Sequence, residues 1–503
     1  MKNYVDWKAP KQDRTHLIWP EPRAIVQQTH TNYEQLSNDH RTRICGVPLN
    51  RWRASMRSFL GVSSDIPLVT TGHQIEIYHP GVWVKNVLID LLEKKTGGIA
   101  VHFAVDTDTP KHLILKWPGV SRSITDDPEL TDTQWLGRVR GPTPEYAARL
   151  KQDLETAAAN WSFQPVAYRF LDHLIRSCSI PGTMLTECLT RSTLETDQSL
   201  GLNYRFHILS ELLYTDAYLA LVYQIVSDIR AFATQYNRSL EEYRTQAGIR
   251  SSTRPMPDLS IAADEIELPF WLDELNTGQR SRARVTVSPA GSILVSPDGD
   301  KFVFKSSPGM DSDEPDHLRK FLQEKELRLS PRALTLTMFL RLMVVDQFVH
   351  GIGGARYDQV TDRIISGYFG IRPPDFSVTT ATLYFPTAQD MSRVCLPCLK
   401  MEGHRLRHQL VPDKQTYLQA IESAPRKSLE RKKKYLAMHR AIESSNQTFV
   451  ALEEWKSRFQ KALVSREQEE VIFDRELFYG LQSQNRLTSM IDQYRIAFQS
   501  LKV

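Results

Sequence analysis

The order of apolar and polar positions predicts structure most clearly from residue 66 onward. IPLVTT (66–71) is short, apolar and bounded by Pro and Gly, which predicts a buried strand. GVWVKNVLIDLLEKK (81–95) carries apolar residues at 84, 87, 88, 91 and 92, the spacing of one helical face. Gly97 and Gly98 end that helix. GIAVHFAVDTDTP (98–110) predicts a second buried strand ending in two aspartates. Strand, helix and strand within about forty-five residues make a βαβ unit, whose strands run parallel through a right-handed crossover.

The flanking pattern is different. Residues 1–60 mix Pro, polar residues and short amphipathic pieces, and read as irregular until a helix near NYEQLSNDHRTRICG. Residues 144–250 read mainly as helices. Over 254–306 the runs RPMPDLSI, EIELPFWL, RARVTVSP, SILVSP and KFVFKSSP alternate with Pro, Gly and Asp, which predicts an antiparallel β insertion. Residues 330–370 return to α/β: a long apolar run, a Gly-rich turn, then a helix. From about 414 the chain is helical and charged, and ESSNQT reads as the turn of an αα-hairpin or coiled-coil arm. The expected divisions are a first core part (1–253), the insertion (254–310), a second core part (311–412) and the helical arm with terminal helices (413–503).

Composition narrows the class. A chain of 503 residues exceeds one ordinary core, so several parts are expected. With 41% apolar and 24% charged residues, wholesale disorder is excluded. The net charge of +4 gives no ground for general nucleic-acid or membrane affinity, and the basic run RKSLERKKK (426–434) reads as the solvated face of the arm. Five cysteines do not make a disulfide framework. No run reaches eighteen apolar residues and the N-terminus lacks a signal-peptide core, so a cytoplasmic protein without a membrane partner is expected.

Three stretches carry candidate chemistry, all at predicted strand-to-helix or helix-adjacent junctions. In TGHQIEIYHPGVWVKN (71–86), His73, Gln74 and His79 would stand at the ligand edge of a parallel sheet, beside Gly81 and the anion-favouring start of a helix. Lys85 lies one turn into that helix, either within reach of the cleft or solvated. In VDTDTPKH, Asp106 and Asp108 end the strand at the same edge as His73 and stand two apart, so both carboxylates are expected to face the cleft, to hold an amine, a sugar hydroxyl or Mg²⁺ or to serve as a base; the alternative is that they cap a turn. In FVHGIGGARYDQVTD, His350, Gly351, Gly353 and Gly354 form a turn that lets backbone approach a ligand, before Arg356, Tyr357 and Asp358 open a helix. A fourth stretch, CLPCLKMEGHRLRH, spaces Cys395, Cys398, His404 and His408 as C-x2-C-x5-H-x3-H; it suits tetrahedral zinc, or else holds two buried thiols beside a basic helix. GxxxxGK[ST], GxGxxG and GxSxG are absent.

Taken together, the motifs resemble those of the bacillithiol-biosynthesis cysteine-adding ligases. TGHQIEIYHPGVWVKN is similar to their TGQQ…GP…YK loop, FAVDTDTPKH to a strand ending in Glu-Asp-His-Asp, and LSPRALTLTMFLRLMVVDQFVHGIGGARYDQV to their SPN…RP…QD…GGPGEIAYW segment, in the same order. Gly72, Gln74 and Lys85 match the first motif, Asp106 and Asp108 the second, and Gly353, Gly354 and Tyr357 the third. Thr107 stands where the family has histidine, Val105 where it has glutamate, His73 where it has glutamine, and Asp358 where an aromatic follows Tyr357. The resemblance implies an α/β protein with a Rossmann-like core, a coiled-coil arm used for homodimerisation, and addition of cysteine to the amine of glucosaminyl-malate. The expected enzyme is then a carbon–nitrogen ligase that uses ATP and Mg²⁺ on a small-molecule substrate. Within it His73, His79, Asp106 and Asp108 act catalytically, while Gly72, Gln74, Lys85, His350, Gly351, Gly353, Gly354, Tyr357 and Asp358 bind. The alternative is a catalytically silent nucleotide- or metabolite-binding scaffold that assembles through its arm.

Overall fold

The computed structural model describes residues 5–130, 134–254, 256–305, 313–386, 396–409, 414–446 and 450–499. The chain divides into two compact units: Met1–Leu115 with Ser121–Leu383 and Arg475–Val503, and Lys116–Val120 with Tyr384–Asp474.

The first unit is mixed α/β. Its main strands are β1 (Thr15–Trp19), β2 (Leu68–Gln74), β3 (Ile99–Val105), β4 (Arg205–Ile208), β5 (Glu265–Glu274), β6 (Arg280–Ser288), β7 (Gly291–Val295), β8 (Lys301–Phe304), β9 (Leu327–Pro331), β10 (Gln347–His350) and β11 (Phe376–Thr382). Its helices, before the chain passes to the second unit, are α1 (Pro22–Ser37), α2 (Leu49–Phe59), α3 (Pro80–Thr96), α4 (Pro144–Ala158), α5 (Ala167–Cys178), α6 (Leu185–Ser199), α7 (Asp216–Ser227), α8 (Ile229–Ala247), α9 (Glu314–Glu324), α10 (Ala333–Phe339) and α11 (Ile352–Ile364). The second unit contains α12 (Leu396–Gln409), α13 (Lys414–Glu422), α14 (Leu429–Asn446) and α15 (Val450–Ile472), and α16 (Gln484–Gln499) closes the first.

The central sheet has the order β1-β11-β10-β2-β3-β4. β11, β10, β2, β3 and β4 are parallel, and β1 adds an antiparallel edge. Asp346, just before β10, sets the register of its centre. It accepts the Leu68 N–H at 2.7 Å and pairs with Arg53 and Arg57 of α2, all three side chains being buried. A second sheet, β8-β7-β6-β5-β9, is antiparallel throughout.

The expected βαβ unit is β2-α3-β3, with Gly97 at φ +65° ending α3. α3 is buried on nearly every side, polar positions Lys85, Asn86 and Asp90 included. The five-stranded second sheet answers to the expected insertion, but it recruits β9 from beyond residue 310, and RPMPDLSI contributes only a bridge at Ile261. The N-terminal helix starts at Pro22, ahead of NYEQLSNDH, and β1 precedes it. β1, β4 and β11 carry no readable period. Two are short, and β11 (FSVTTAT) buries threonines whose hydroxyls find backbone acceptors, Thr379 on Leu17 O at 2.8 Å and Thr382 on Pro10 O at 2.7 Å.

In the second unit α13 packs on α14 through Ile421, Met438 and Ile442. α15 packs on α12, where Trp455 Nε1 donates to Leu399 O at 2.7 Å. Among the described residues no helix is long and apolar enough to cross a membrane.

Candidate functional site

The chain leaves β2 through α3 to β3 on one side of the sheet centre, and leaves β10 through α11 to β11 on the other. Strand order therefore reverses between β2 and β10. In open α/β sheets the crevice beyond the carboxyl ends of the strands at such a reversal is the usual ligand site. A cavity of about 260 Å³ lies there, lined by Gly72, His73, His79, Gly81, Val82, Lys85, His350–Gly354, Thr380 and Arg475.

Local sequence explains how α3 enters this cavity. Pro80 presets the first turn, and the His79 side chain caps it by accepting the Gly81 N–H at Nδ1, 3.1 Å away. Gly81 permits a close approach to β11: a Cβ there would stand 2.6 Å from Thr380 Oγ1 and 2.9 Å from the Ala381 carbonyl. One helical turn on, the buried Asp197 of α6 accepts Trp83 Nε1 at 2.9 Å, Asn86 Nδ2 at 3.1 Å, Tyr479 OH at 3.0 Å and Tyr204 OH. Burial pushes Asp197 up to about 6 against the pull of those donors. Asn86 in turn holds His102 Nδ1 at 2.8 Å, and His102 Nε2 meets Tyr78 OH at 3.2 Å. α3 is thus pinned immediately before and after Lys85.

Lys85 is 3% exposed and has no acidic partner within ion-pair distance among the described residues. Among the described residues its Nζ reaches only the Gly72 carbonyl, at 3.4 Å. Burial lowers its pKa to about 7. Arg475 faces the same cavity. Its Nη2 donates to Thr380 Oγ1 and Ala381 O, both at 3.2 Å, and its buried Nε has no acceptor among the described residues. The N-terminus of α11 also meets the cavity, with Gly351 at the cap position and no side chain closing it. Two helix starts, a lysine and a guanidinium on one small cavity make an environment that favours negative charge.

The three histidines are neutral in this setting. His79 is lowered to about 3 by burial and then by Arg475; because Nδ1 accepts Gly81 N–H, Nε2 carries its proton. Burial, followed by Lys85, drives His73 far below its usual value. Its Nδ1 donates to Gln74 O at 2.7 Å, leaving Nε2 as an acceptor. His350 is lowered chiefly by burial, and its Nε2 donates to Asp358 at 2.6 Å, leaving Nδ1 as an acceptor beside Gly354. The site thus combines cationic and N–H donors with two neutral bases.

Of the residues expected from sequence, Gly72, His73, His79, Lys85, His350, Gly351, Gly353 and Gly354 line this cavity. Asp358 stands behind it, holding His350. Asp106, Asp108, Gln74 and Tyr357 do not line it. β3 ends at Val105, so the alternation that would have turned both aspartates to the cleft stops before either. Asp106 is buried, with Oδ1 accepting Ser210 N–H at 3.0 Å, its carbonyl accepting Gly137 N–H at 2.8 Å, and its pKa raised chiefly by burial. Asp108, half exposed, accepts from Gln74 Nε2. Tyr357 is 36% exposed on α11. Sequence reasoning missed Thr380 and Arg475; no motif marks either.

The expected zinc ligands fall largely outside the description: Cys395 is not among the described residues, nor are the side chains of Cys398 and His408, while His404 is exposed on α12. Among the described residues no group of three or more His, Cys, Asp or Glu is arranged to hold a metal ion. Set against protein-family models and against curated proteins, the chain matches none.

Proposed function

We propose that the chain is a ligase-like enzyme of low-molecular-weight thiol biosynthesis. In this reading it binds an anionic group in the cavity between β2 and β10. It joins cysteine, or a similar amino acid, to the amine of a sugar-linked acceptor such as glucosaminyl-malate. The carrying observation is Lys85, buried with no carboxylate partner and facing a cavity that also receives Arg475 and two helix N-termini. A buried ammonium left unpaired is costly, and a phosphate or carboxylate supplies the missing counter-charge. The ligation step rests on the motif resemblance and on the neutral imidazoles. The free acceptor nitrogens of His73 and His350 would receive hydrogen bonds from the attacking amine and orient it, its extra proton having passed to solvent beforehand. ATP would supply the activation of the cysteine carboxylate; the C–N bond would form as the bond from the carbonyl carbon to the phosphate oxygen breaks, and Lys85 and Arg475 would hold the charge of that departing phosphate.

ATP fits the donor set, because its phosphates are the anions such a cavity favours. Mg²⁺ would arrive on those phosphates rather than in a cage of protein carboxylates. A Rossmann-like core and homodimerisation through a coiled-coil arm belong to the same proposal. A second reading, a metabolite-binding scaffold without catalysis, is favoured by one observation: the Asp106 carboxylate accepts the Ser210 N–H and does not line the cavity.

Protein supplied with ATP, cysteine and glucosaminyl-malate should yield the corresponding cysteinyl thiol by mass spectrometry, and Lys85→Met should abolish it. Nucleotide or sulfate binding without any product would favour the scaffold. Failure of Lys85→Met to alter either binding or turnover would remove the anion site from the account.

A further inference from the structure

We infer that the helical unit carries a docking groove for an acidic amphipathic helix of another protein. The groove, of about 610 Å³, opens beside the turn that joins α13 to α14. Its floor is apolar and includes Leu418, Ile421, Leu429 and Met438. Of these Leu429 is 78% exposed, and the adjacent Tyr435 and Leu436 are exposed as well. Large apolar side chains left open in one place mark an interaction surface. Ile421 and Met438 also belong, with Ile442, to the buried cluster that joins α13 to α14, whereas Leu418, Leu429 and Tyr435 stand exposed outside it.

The rim decides the occupant. Lys427, Arg431 and Lys432 border the groove. They belong to a run, residues 426–434, with six bases and one acid. That acid, Glu430, is taken by Lys434 at 2.7 Å, and no other base of the run has an acid partner among the described residues. An apolar trough edged by unpaired cations matches a helix with apolar anchors at i, i+3, i+4 and i+7 flanked by Asp and Glu. A nucleic acid would be met by cations along a phosphate path, not by a leucine floor. A second copy docking through the same groove by two-fold symmetry would press the two basic runs together.

The test uses the full chain and three fluorescein-labelled probes followed by anisotropy. These are a peptide of about 18 residues with Leu at helical spacing and Glu elsewhere, the same residues scrambled, and an oligouridine of about 20 nucleotides. The helical peptide should bind at least about tenfold more tightly than the scrambled one. Leu429→Ser and Lys432→Glu, both at exposed positions, should each weaken it by about tenfold with the circular dichroism spectrum unchanged. The inference is overturned if the helical peptide does not bind, or if the scrambled peptide binds as well. Oligouridine binding more tightly, with the same variants weakening it, would assign the groove to nucleic acid instead. A dimer that becomes monomeric on Leu429→Ser would assign it to a second copy. Because the groove is distinct from the cavity between β2 and β10, none of these outcomes bears on the proposed ligation.

Discussion

His350 donates from Nε2 to Asp358 Oδ2 at 2.6 Å, and Arg341 donates to the same oxygen at 2.8 Å, with all three side chains buried. Thr337 Oγ1 fills the other carboxylate oxygen at 2.6 Å. Asp358 therefore balances a buried guanidinium and fixes which nitrogen of His350 remains free. Asp358→Ala should cost about 3–5 kcal/mol, because it leaves Arg341 with Asp362 alone. Chemical denaturation reads that loss. A change below about 1 kcal/mol would mean that the cluster contributes little to the fold.

Lys85 makes stability depend on pH in a definite sense. Its folded value of about 7 lies below the ordinary 10.5. Between those values the unfolded chain holds a proton that the folded chain has released, so stability from this group rises with pH across the window. Below about 7 the full penalty of burying the ammonium applies, on the order of a few kcal/mol. Lys85→Met should remove the penalty, raising the melting temperature at pH 7 while abolishing anion binding. A variant less stable than the parent at pH 7 would contradict the view of Lys85 as an unpaired buried charge.

The same titration sets the pH dependence of binding. An anion beside Nζ favours the charged amine, so binding takes up a proton wherever free Lys85 is neutral. Sulfate, whose own charge is constant in this range, should bind with an affinity that falls by up to about tenfold per pH unit above 7. Calorimetry in buffers of different ionisation enthalpy should detect uptake approaching one proton at pH 8 to 9. Affinity that stays flat from pH 7 to 9 would place sulfate away from Lys85.

Much of this centre can be read in the residues themselves. IPLVTT and the apolar spacing of VWVKNVLIDLLEKK mark β2 and α3, because a buried strand and a buried helix both need continuous apolar content over their own lengths. The glycines of HGIGG mark a turn that backbone must approach closely. Arg475 could not be read this way. It joins the cavity from a segment nearly four hundred residues after His79, within FDRELFYG, where nothing distinguishes it from other surface arginines. Only the return of the chain to the first unit brings it there. The aspartates were misplaced for a local reason: a period of two is a property of a strand, and the strand stops one residue before Asp106. From sequence Lys85 reads as either within reach of the cleft or solvated, because its helix gives no sign of a polar shell; that shell is supplied by Asp197, Tyr204 and Tyr479, far along the chain.

Gly81 joins packing to function most directly. A methyl at this position would meet the Thr380 hydroxyl at 2.6 Å and the Ala381 carbonyl at 2.9 Å, and the latter is sheet backbone that cannot swing aside. Gly81→Ala must therefore push the first turn of α3 away from β11. The expected cost in stability is about 1–3 kcal/mol, as for overpacking elsewhere. The larger consequence falls on the cavity: His79 and the start of α3 move away from Arg475, which β11 holds through Thr380 and Ala381. Sulfate affinity should drop by at least about tenfold, since charge-assisted hydrogen bonds weaken steeply with displacement. Gly353→Ala is the matching control, because a Cβ there has open space and sits in a helix that favours Ala by about 1 kcal/mol. It should leave the protein as stable as the parent or slightly more so. If Gly81→Ala binds sulfate like the parent, the meeting of α3 with β11 does not shape the anion site, and Lys85 and the α11 turn must carry it without the His79 side.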